Sequence, residues 1–276
     1  TRLVCHYCGY TTIQPGLCPV CGSKYISGFK AGTQKIEQVV KARFPQARVL
    51  RMDMDTTRTK DGYEQILSAF SNHEADILIG TQMIVKGHDF PGVTLVGVLA
   101  ADLSLYISDY RASERTFQLL TQAAGRAGRG DIPGNVIIQT YDPDHYSITT
   151  AKEQNYEAFY GQEIEYRKMM RYPPVWNMLY ILCASKNEAA ASEAAVALMG
   201  KIDQIVRENS EKIFPIGPSD APVAKISDVY RKVIYVKTRE YQTLVILKDG
   251  LEAFIKDNRL YQNVAVGFDF NPVNGF

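Results

Sequence analysis

Residues 75–102 read ADILIGTQMIVKGHDFPGVTLVGVLAAD. Two apolar runs, ADILIG and TLVGVLAA, flank a polar turn, Lys86-Gly87-His88-Asp89. Both runs are continuous rather than alternating, the pattern of strands buried on both faces. Working outward, the same alternation of short apolar runs and helix-period segments continues. Upstream lie KYISGF (a strand), GTQKIEQVVKARF (a helix with Ile36, Val39, Val40 and Phe44 on one face), RVLRMD (a strand) and YEQILSAFS (a helix). Downstream lie the helix ASERTFQLLTQAAGR and the strand GNVIIQT. Strands alternating with amphipathic helices predict an α/β lobe, a parallel sheet with helices on both faces, over residues 24–142. Ligands on such sheets sit beyond the carboxyl ends of strands. Thr81 and Gln82 follow one strand, and their hydroxyl and amide groups suit phosphate oxygens. Gly32-Thr33 opens a helix after another, a position that fits either an anion or plain capping by Thr33.

Residues 119–131, LLTQAAGRAGRGD, crowd Gly125, Gly128 and Gly130 into the end of a helix. Each interior glycine costs a helix about 1 kcal/mol against alanine, so the position must need the missing side chain. Gln122, Arg126 and Arg129 fall at i, i+4 and i+7, one face of a helix or of a helix fraying at its end. Two guanidinium groups aimed one way repel unless an anion meets them, and their rigid forks match phosphate oxygens. A solvated surface face is the plainer alternative, but it accounts for neither the glycines nor the glutamine.

The chain has 276 residues, 46% hydrophobic and 22% charged, with a net charge of +1. Length and composition give one or two globular domains. Near-zero net charge excludes a global pull toward nucleic acid or membrane, so any such contact must be local. No apolar run reaches the ~18–20 residues of a membrane span, and no signal peptide opens the chain. A soluble, cytoplasmic protein without membrane partners is expected. Thr1 stands four residues before the first cysteine, which reads as the start of an excised piece.

Four of the five cysteines, Cys5, Cys8, Cys18 and Cys21, form two C-x2-C pairs separated by nine residues. Such pairs, each followed by glycine, suit tetrahedral zinc held by four sulfurs, and residues 1–23 are assigned to a zinc-binding element. Two disulfides or free thiols are the alternatives. Cys183, inside LYILCAS, reads as a small buried hydrophobe.

Residues 143–174 read as a long polar helix with interleaved tyrosines, stopped by Pro173-Pro174. Residues 175–276 then give strand, helix, strand, strand, helix, strand, a βαββαβ α+β domain. Lys225, Tyr230, Arg231 and Lys232, in AKISDVYRK, mix basic and aromatic side chains in the manner of single-strand binders. A solvated loop at a strand edge is equally compatible with them.

In their order along the chain, ILIGTQMIVKGHDFPGV and TQAAGRAGR resemble the fifth and sixth motifs of superfamily 2 helicases, the latter as Q-x-x-G-R-x-G-R at Gln122, Gly125, Arg126, Gly128 and Arg129. With GTQKIEQ, RMDMDTT, SDYRASERTFQ, RYPP and GPSDAPVAKISDVYR added, the whole chain resembles the bacterial replication-restart helicases, the primosomal protein N′ (PriA) family. The resemblance implies a second RecA-like helicase lobe at 24–142, followed by a helical linker and the α+β domain. It implies that Arg126 and Arg129 reach the γ-phosphate of ATP held with Mg by another lobe, and that Gln122 orders that site. Gly87 and Asp89 would link nucleotide state to the DNA groove, and Thr33, Thr81 and Gln82 would touch phosphates of the tracked strand. It implies 3′ to 5′ movement on forked and single-stranded DNA, with single-strand DNA-binding protein and other primosome proteins as partners. It also implies eight cysteines on two zincs, of which this sequence holds the later four. No G-x-x-x-x-G-K-[ST] loop occurs here, so this chain alone is not expected to hydrolyse ATP. Two rival readings are a non-catalytic DNA-binding adaptor that kept a helicase-lobe fold, and a superfamily 2 RNA helicase or translocase.

Overall fold

The computed structural model describes residues 2–4, 11–13, 15–24, 32–57, 61–85, 90–107, 109–128, 132–208 and 212–273. The chain divides into two compact units, one of Ile26–Ile107 and Arg111–Phe159, the other of Thr1–Tyr25, Ser108–Tyr110 and Tyr160–Phe276. At the amino terminus β1 (Arg2–Val4) and β2 (Thr11–Ile13) form an antiparallel hairpin.

The first unit contains α1 (Thr33–Arg43), β3 (Val49–Met52), α2 (Gly62–Ser71), β4 (Ile77–Gly80), β5 (Leu95–Val98), α3 (Asp102–Leu105), α4 (Ala112–Ala124), β6 (Asn135–Ile138) and α5 (Tyr146–Lys152). Strands β3 and β4 pair in parallel from Val49↔Ile77 to Met52↔Gly80, and β5 and β6 pair in parallel from Leu95↔Asn135 to Val98↔Ile138. The parallel direction matches the alternation of strands and helices in the sequence. Among the described residues, however, these are two separate pairs rather than one sheet. Coverage on both faces also fails for β5 and β6, where exposed and half-buried residues alternate and Leu95 and Ile137 are more than half exposed. The α1 stripe stays outside any core as well, with Val39 and Phe44 more than half exposed. The expected strand KYISGF falls almost wholly on residues 25–29, outside the described residues.

What this unit packs best is α4. Ala112, Thr116, Phe117, Leu120 and Ala123 are buried at helical spacing. Phe117 stacks on Phe159 with ring centroids 4.2 Å apart, and Leu120, Ile148 and Ala151 complete the cluster. The polar stretch read as one helix is two. Helix α5 ends before Gln154, which has φ +52°, and α6 (Tyr156–Met170) begins beside Asn155, whose Oδ1 accepts the Ala158 amide at 2.9 Å. Asparagine at a helix start supplies the acceptor that the first-turn amides lack, which breaks the run locally.

The second unit is built on β7 (Asn177–Ser185), α7 (Glu188–Glu208), β8 (Phe214–Ile226), β9 (Val229–Thr238), α8 (Tyr241–Lys256) and β10 (Ala265–Phe270). The four strands form an antiparallel sheet in the order β10-β7-β9-β8. Helices α7 and α8 cover one face around Leu179, Ile181, Leu198, Ile234, Val236 and Leu247. Tyr110, Tyr172 and Ala221 cover Met178, Tyr180, Val233 and Tyr235 on the other. Burial on both faces explains why β7 reads as an unbroken apolar run. Cys183 lies fully buried in it, and burial pushes its thiol up to about 12, so it is an inert hydrophobe. Strand β8 runs far past the short strand expected from KIFPIGP. Pro215 and Pro218 obscure it in the sequence, and an edge strand is where a sheet tolerates proline. No helix among the described residues is long and apolar enough to cross a membrane.

Candidate functional site

Helix α4 runs antiparallel to the strands it connects, so its last turn arrives at the amino ends of β5 and β6. There the Gly128 amide donates to the Val93 carbonyl at 3.0 Å. Gln122 is exposed in the last turn, the helix stops at Ala124 with Gly125 as its carboxyl cap, and the Arg126 amide donates to the Ala123 carbonyl at 3.0 Å. Arg126 therefore sits in a tight turn beyond the helix, half-buried, rather than on the helix face with Gln122. It also follows a helix and not a strand end, because a crossover helix delivers its carboxyl terminus to the start of the next strand. Arg129 lies outside the described residues.

The glycines in this stretch have separate reasons. Gly125 only ends the helix, and a Cβ there would meet nothing closer than 3.5 Å. Gly128 has φ +74°, and a Cβ there would stand 2.5 Å from the Gly134 nitrogen. Two backbones touch at this point, and the contact fixes the turn that carries Arg126. Gly128→Ala is therefore expected to destabilise the chain by about 2–3 kcal/mol, read as a lowered urea midpoint at unchanged slope.

A second group forms at the carboxyl ends of β3 and β4. Met52 and Gly80 are partners in register, which sets Asp53 and Thr81 side by side as the next residues. Gly80 is required here because a Cβ would lie 2.6 Å from both the Met52 carbonyl oxygen and Ile84 Cγ2. Thr81 and Gln82 are exposed. Helix α1 brings Thr33 to the same edge, where its hydroxyl donates to Asp53 Oδ2 at 2.6 Å. Thr33 is not a cap. The cap position is Gly32, and no side chain bonds the first turn. The structure thus gathers Thr33 and Thr81, with Gln82, at one strand edge. Gly87 and Asp89 lie outside the described residues.

In the second unit, β8 and β9 meet in a two-residue turn, Ser227-Asp228, with both residues at positive φ. Near this tip Lys225 lies 4.7 Å from the Tyr230 ring and 2.9 Å from Asp228, and the Arg231 guanidinium donates to the Val223 carbonyl at 3.3 Å. Lys225 is exposed, and its ion pair raises its pKa. Lys232 differs from its neighbours. Its ammonium contacts Asp220 and Glu188, and its side chain is only 15% exposed. The structure sets Lys225, Tyr230 and Arg231 on one hairpin end and turns Lys232 toward the partly exposed carboxylates of Asp220 and Glu188.

A cleft of about 450 Å³ in the same unit, which no sequence motif announces, is lined by Arg171, Trp176, Lys212, Phe214, Arg239 and Glu240. The Arg171 guanidinium lies 3.6 Å over the Phe214 ring, Arg239 is 5.3 Å from the Trp176 ring, and the two rings meet edge-on at 5.6 Å. Three cations face one carboxylate. The only signal was an arginine and a tryptophan around RYPPVW, and the remaining residues arrive from segments up to 69 positions away.

Of the four candidate zinc ligands, Cys5 and Cys8 lie outside the described residues. Cys18 and Cys21 form a tight turn. The Gly22 amide donates to the Cys18 carbonyl at 2.9 Å, and Gly22 has φ +70°. Main-chain N–H groups of Cys21 and Val20 aim at the Cys18 sulfur and lower its pKa. A thiolate stabilised by amides in a glycine-closed turn fits a metal ligand. Among the described residues, no group of three or more His, Cys, Asp or Glu side chains is placed to hold an ion.

The helicase conserved C-terminal domain matches residues 24–131, and the primosomal protein N C-terminal domain matches residues 168–273. The chain is 46% identical over 275 residues to replication restart protein PriA of Bacillus subtilis, covering 98% of this chain and 33% of that protein. It is 42% identical over 244 residues to the Synechocystis protein of the same name, covering 88% and 29%. For the Borreliella burgdorferi protein the identity is 35% over 273 residues, covering 99% and 40%. The chain spans about a third of the length of these relatives. With a helicase carboxyl-terminal domain and a primosomal carboxyl-terminal domain in one chain, and this identity across nearly all of it, the chain belongs to the PriA family.

Proposed function

We propose that this chain supplies the second motor lobe and the carboxyl-terminal DNA-binding domain of an ATP-dependent 3′ to 5′ DNA helicase that restarts replication at stalled forks. The observation that carries the reading is the turn after α4, where the Gly128–Gly134 backbone contact fixes the turn that carries Arg126 beyond the helix whose last turn holds the exposed Gln122. In this reading Arg126 and Arg129 meet the γ-phosphate of ATP and Mg held elsewhere in the full-length protein, and Gln122 orders them. When bound, the nucleotide would supply the phosphoryl group that passes to water with ADP leaving, and the metal would neutralise charge on the phosphates. This chain's part is to place guanidinium groups against charge that develops in the transition state. In this reading Thr33, Thr81 and Gln82 hold strand phosphates at the β3–β4 edge, and Gly87 and Asp89 link nucleotide state to the DNA groove. Lys225, Tyr230 and Arg231 offer a basic, aromatic hairpin end to single-stranded DNA, and Lys232 supports it from within the sheet.

Zinc would be held by Cys5, Cys8, Cys18 and Cys21, the two pairs either gathering on one ion or each completed by cysteines elsewhere in the full-length protein. A replication protein of this kind works in the cytoplasm beside other primosome proteins. The cleft fits the acidic tail of a single-strand DNA-binding protein, since Arg171, Lys212 and Arg239 offer cations over aromatic walls. Arg239→Glu is expected to weaken binding of an acidic tail peptide by at least about tenfold, measured by fluorescence anisotropy at low salt. Unchanged affinity removes that assignment.

The function itself is tested with the full-length protein. Forked DNA is expected to stimulate ATP hydrolysis and RNA is not. Stimulation by RNA supports the RNA translocase instead, and no hydrolysis with either supports the adaptor.

A further inference from the structure

Asp53 places a carboxylate at the edge where Thr33 and Thr81 meet, a position that opposes a phosphate unless the charge is otherwise engaged. It is engaged on every side. Oδ2 accepts the Thr33 hydroxyl at 2.6 Å and lies 3.3 Å from Arg51 Nε. Oδ1 accepts the amides of Asp55 and Thr56, each at 3.0 Å, and lies 3.3 Å from the Thr56 hydroxyl. Arg51 also reaches Glu37 on α1 at 3.5 Å, a second tie between β3 and that helix. Asp53 is only 8% exposed. The Thr33 bond above all, with the Thr56 and Asp55 amides and the Arg51 charge, holds its carboxyl below the ordinary range. It is therefore ionised at neutral pH and can only accept hydrogen bonds. The proton in the 2.6 Å contact belongs to Thr33, and a hydroxyl has one proton to give. While Asp53 holds it, the Thr33 side chain has no donor left for a phosphate.

Resting on the reading of Thr33 as a strand contact, we propose that Asp53 is a positioning residue for single-stranded DNA. It latches the start of α1 to the end of β3 through the Thr33 hydroxyl and leaves the Thr33 main-chain N–H as the donor to a phosphate. Simple electrostatics gives the opposite sign for a mutation. Removing a negative charge beside a phosphate path tightens binding, whereas removing a latch weakens it.

The test measures affinity of the full-length protein for labelled single-stranded oligothymidylate across a salt series. Asp53→Ala is expected to weaken binding about three- to tenfold, the effect of misplacing one hydrogen bond. Thr33→Val removes the same bond from the other side while Asp53 keeps its amide bonds, so it reads the latch even where Asp53→Ala fails to fold. It is expected to match Asp53→Ala, the double variant is expected to lose no more than either, and Thr33→Ser is expected to bind as the parent does. Thr33→Pro removes the N–H at a first helical position, where proline is tolerated, and is expected to bind more weakly than Thr33→Val. Binding by Asp53→Ala and Thr33→Val that equals or exceeds the parent, with Thr33→Pro still weak, overturns the latch and leaves Thr33 as a strand contact. Parent-like binding by Thr33→Pro overturns both.

Discussion

Replacing Arg126 with alanine in the full-length protein is expected to lower ATP turnover by about 10³-fold or more, with nucleotide still bound. A guanidinium that meets a transferring phosphoryl group acts mainly on charge developing in the transition state, so its loss appears in kcat and hardly in KM. Arg126→Lys is expected to recover little, because an ammonium cannot reproduce the planar fork. Gly128→Ala offers a comparison within the same turn. It leaves Arg126 in place and shifts the backbone beneath it, so it should lower turnover and stability together, whereas Arg126→Ala should leave the urea midpoint within about 0.5 kcal/mol of the parent. Turnover by Arg126→Ala within a few-fold of the parent means that this arginine does not touch the nucleotide, and the motor reading of the α4 turn then falls.

How much of this was legible depended on whether the signal was local. The carboxyl-terminal elements could be read because β7, α7, β9 and α8 are each apolar in their own period, and burial on both sheet faces leaves long unbroken runs. Strand β8 was truncated in the sequence reading because Pro215, Gly217 and Pro218 are turn signals, and only its edge position makes them acceptable. The break between α5 and α6 had a visible mark in Asn155, outweighed by the helix-forming residues around it. At the candidate site, Gln122 and Arg126 stood out by their spacing. Their location at the amino ends of strands did not, since it follows from the direction of the crossover helix and not from any residue. RMDMDTT was visible as a motif, but the bond from Asp53 to Thr33 spans twenty positions and leaves no trace in either segment alone. The cleft is the extreme case, because its cations and rings come from three stretches that only the fold brings together.

Lys237 gives the second large effect, through pH. Its side chain lies at the end of β9, 3% exposed, with Nζ donating to the Met170 carbonyl at 2.9 Å and set 3.6 Å over the Tyr172 ring. Burial, and then the Arg171 charge, push its pKa down to about 7. An unfolded lysine titrates near ~10.4. Between about pH 7 and 10 the unfolded chain therefore holds a Lys237 proton that the folded chain has released, which raises stability with pH, and from about pH 8.5 the buried Cys183 thiol, whose proton the unfolded chain loses first, opposes that rise. The full rise is bounded at about 4–5 kcal/mol, and the Met170 carbonyl and the Tyr172 face, which favour the ammonium, keep the realised value below that bound. Above pH 10 the slope reverses. Burial holds Tyr166, Tyr180 and Tyr261 above their ordinary pKa, the last at about 12, so the unfolded chain loses those protons first. Urea unfolding of the chain from pH 6.5 to 11 is expected to show stability rising to about pH 8.5–9, levelling off, and falling above about pH 10. Lys237→Met keeps the stem in its slot and removes the titrating group, so its rising limb should vanish while the fall set by Cys183 and the tyrosines remains, now beginning at about pH 8.5. A rising limb that survives in Lys237→Met assigns the pH dependence to another group and returns Lys237 to an ordinary buried ammonium, held by a carbonyl and an aromatic face.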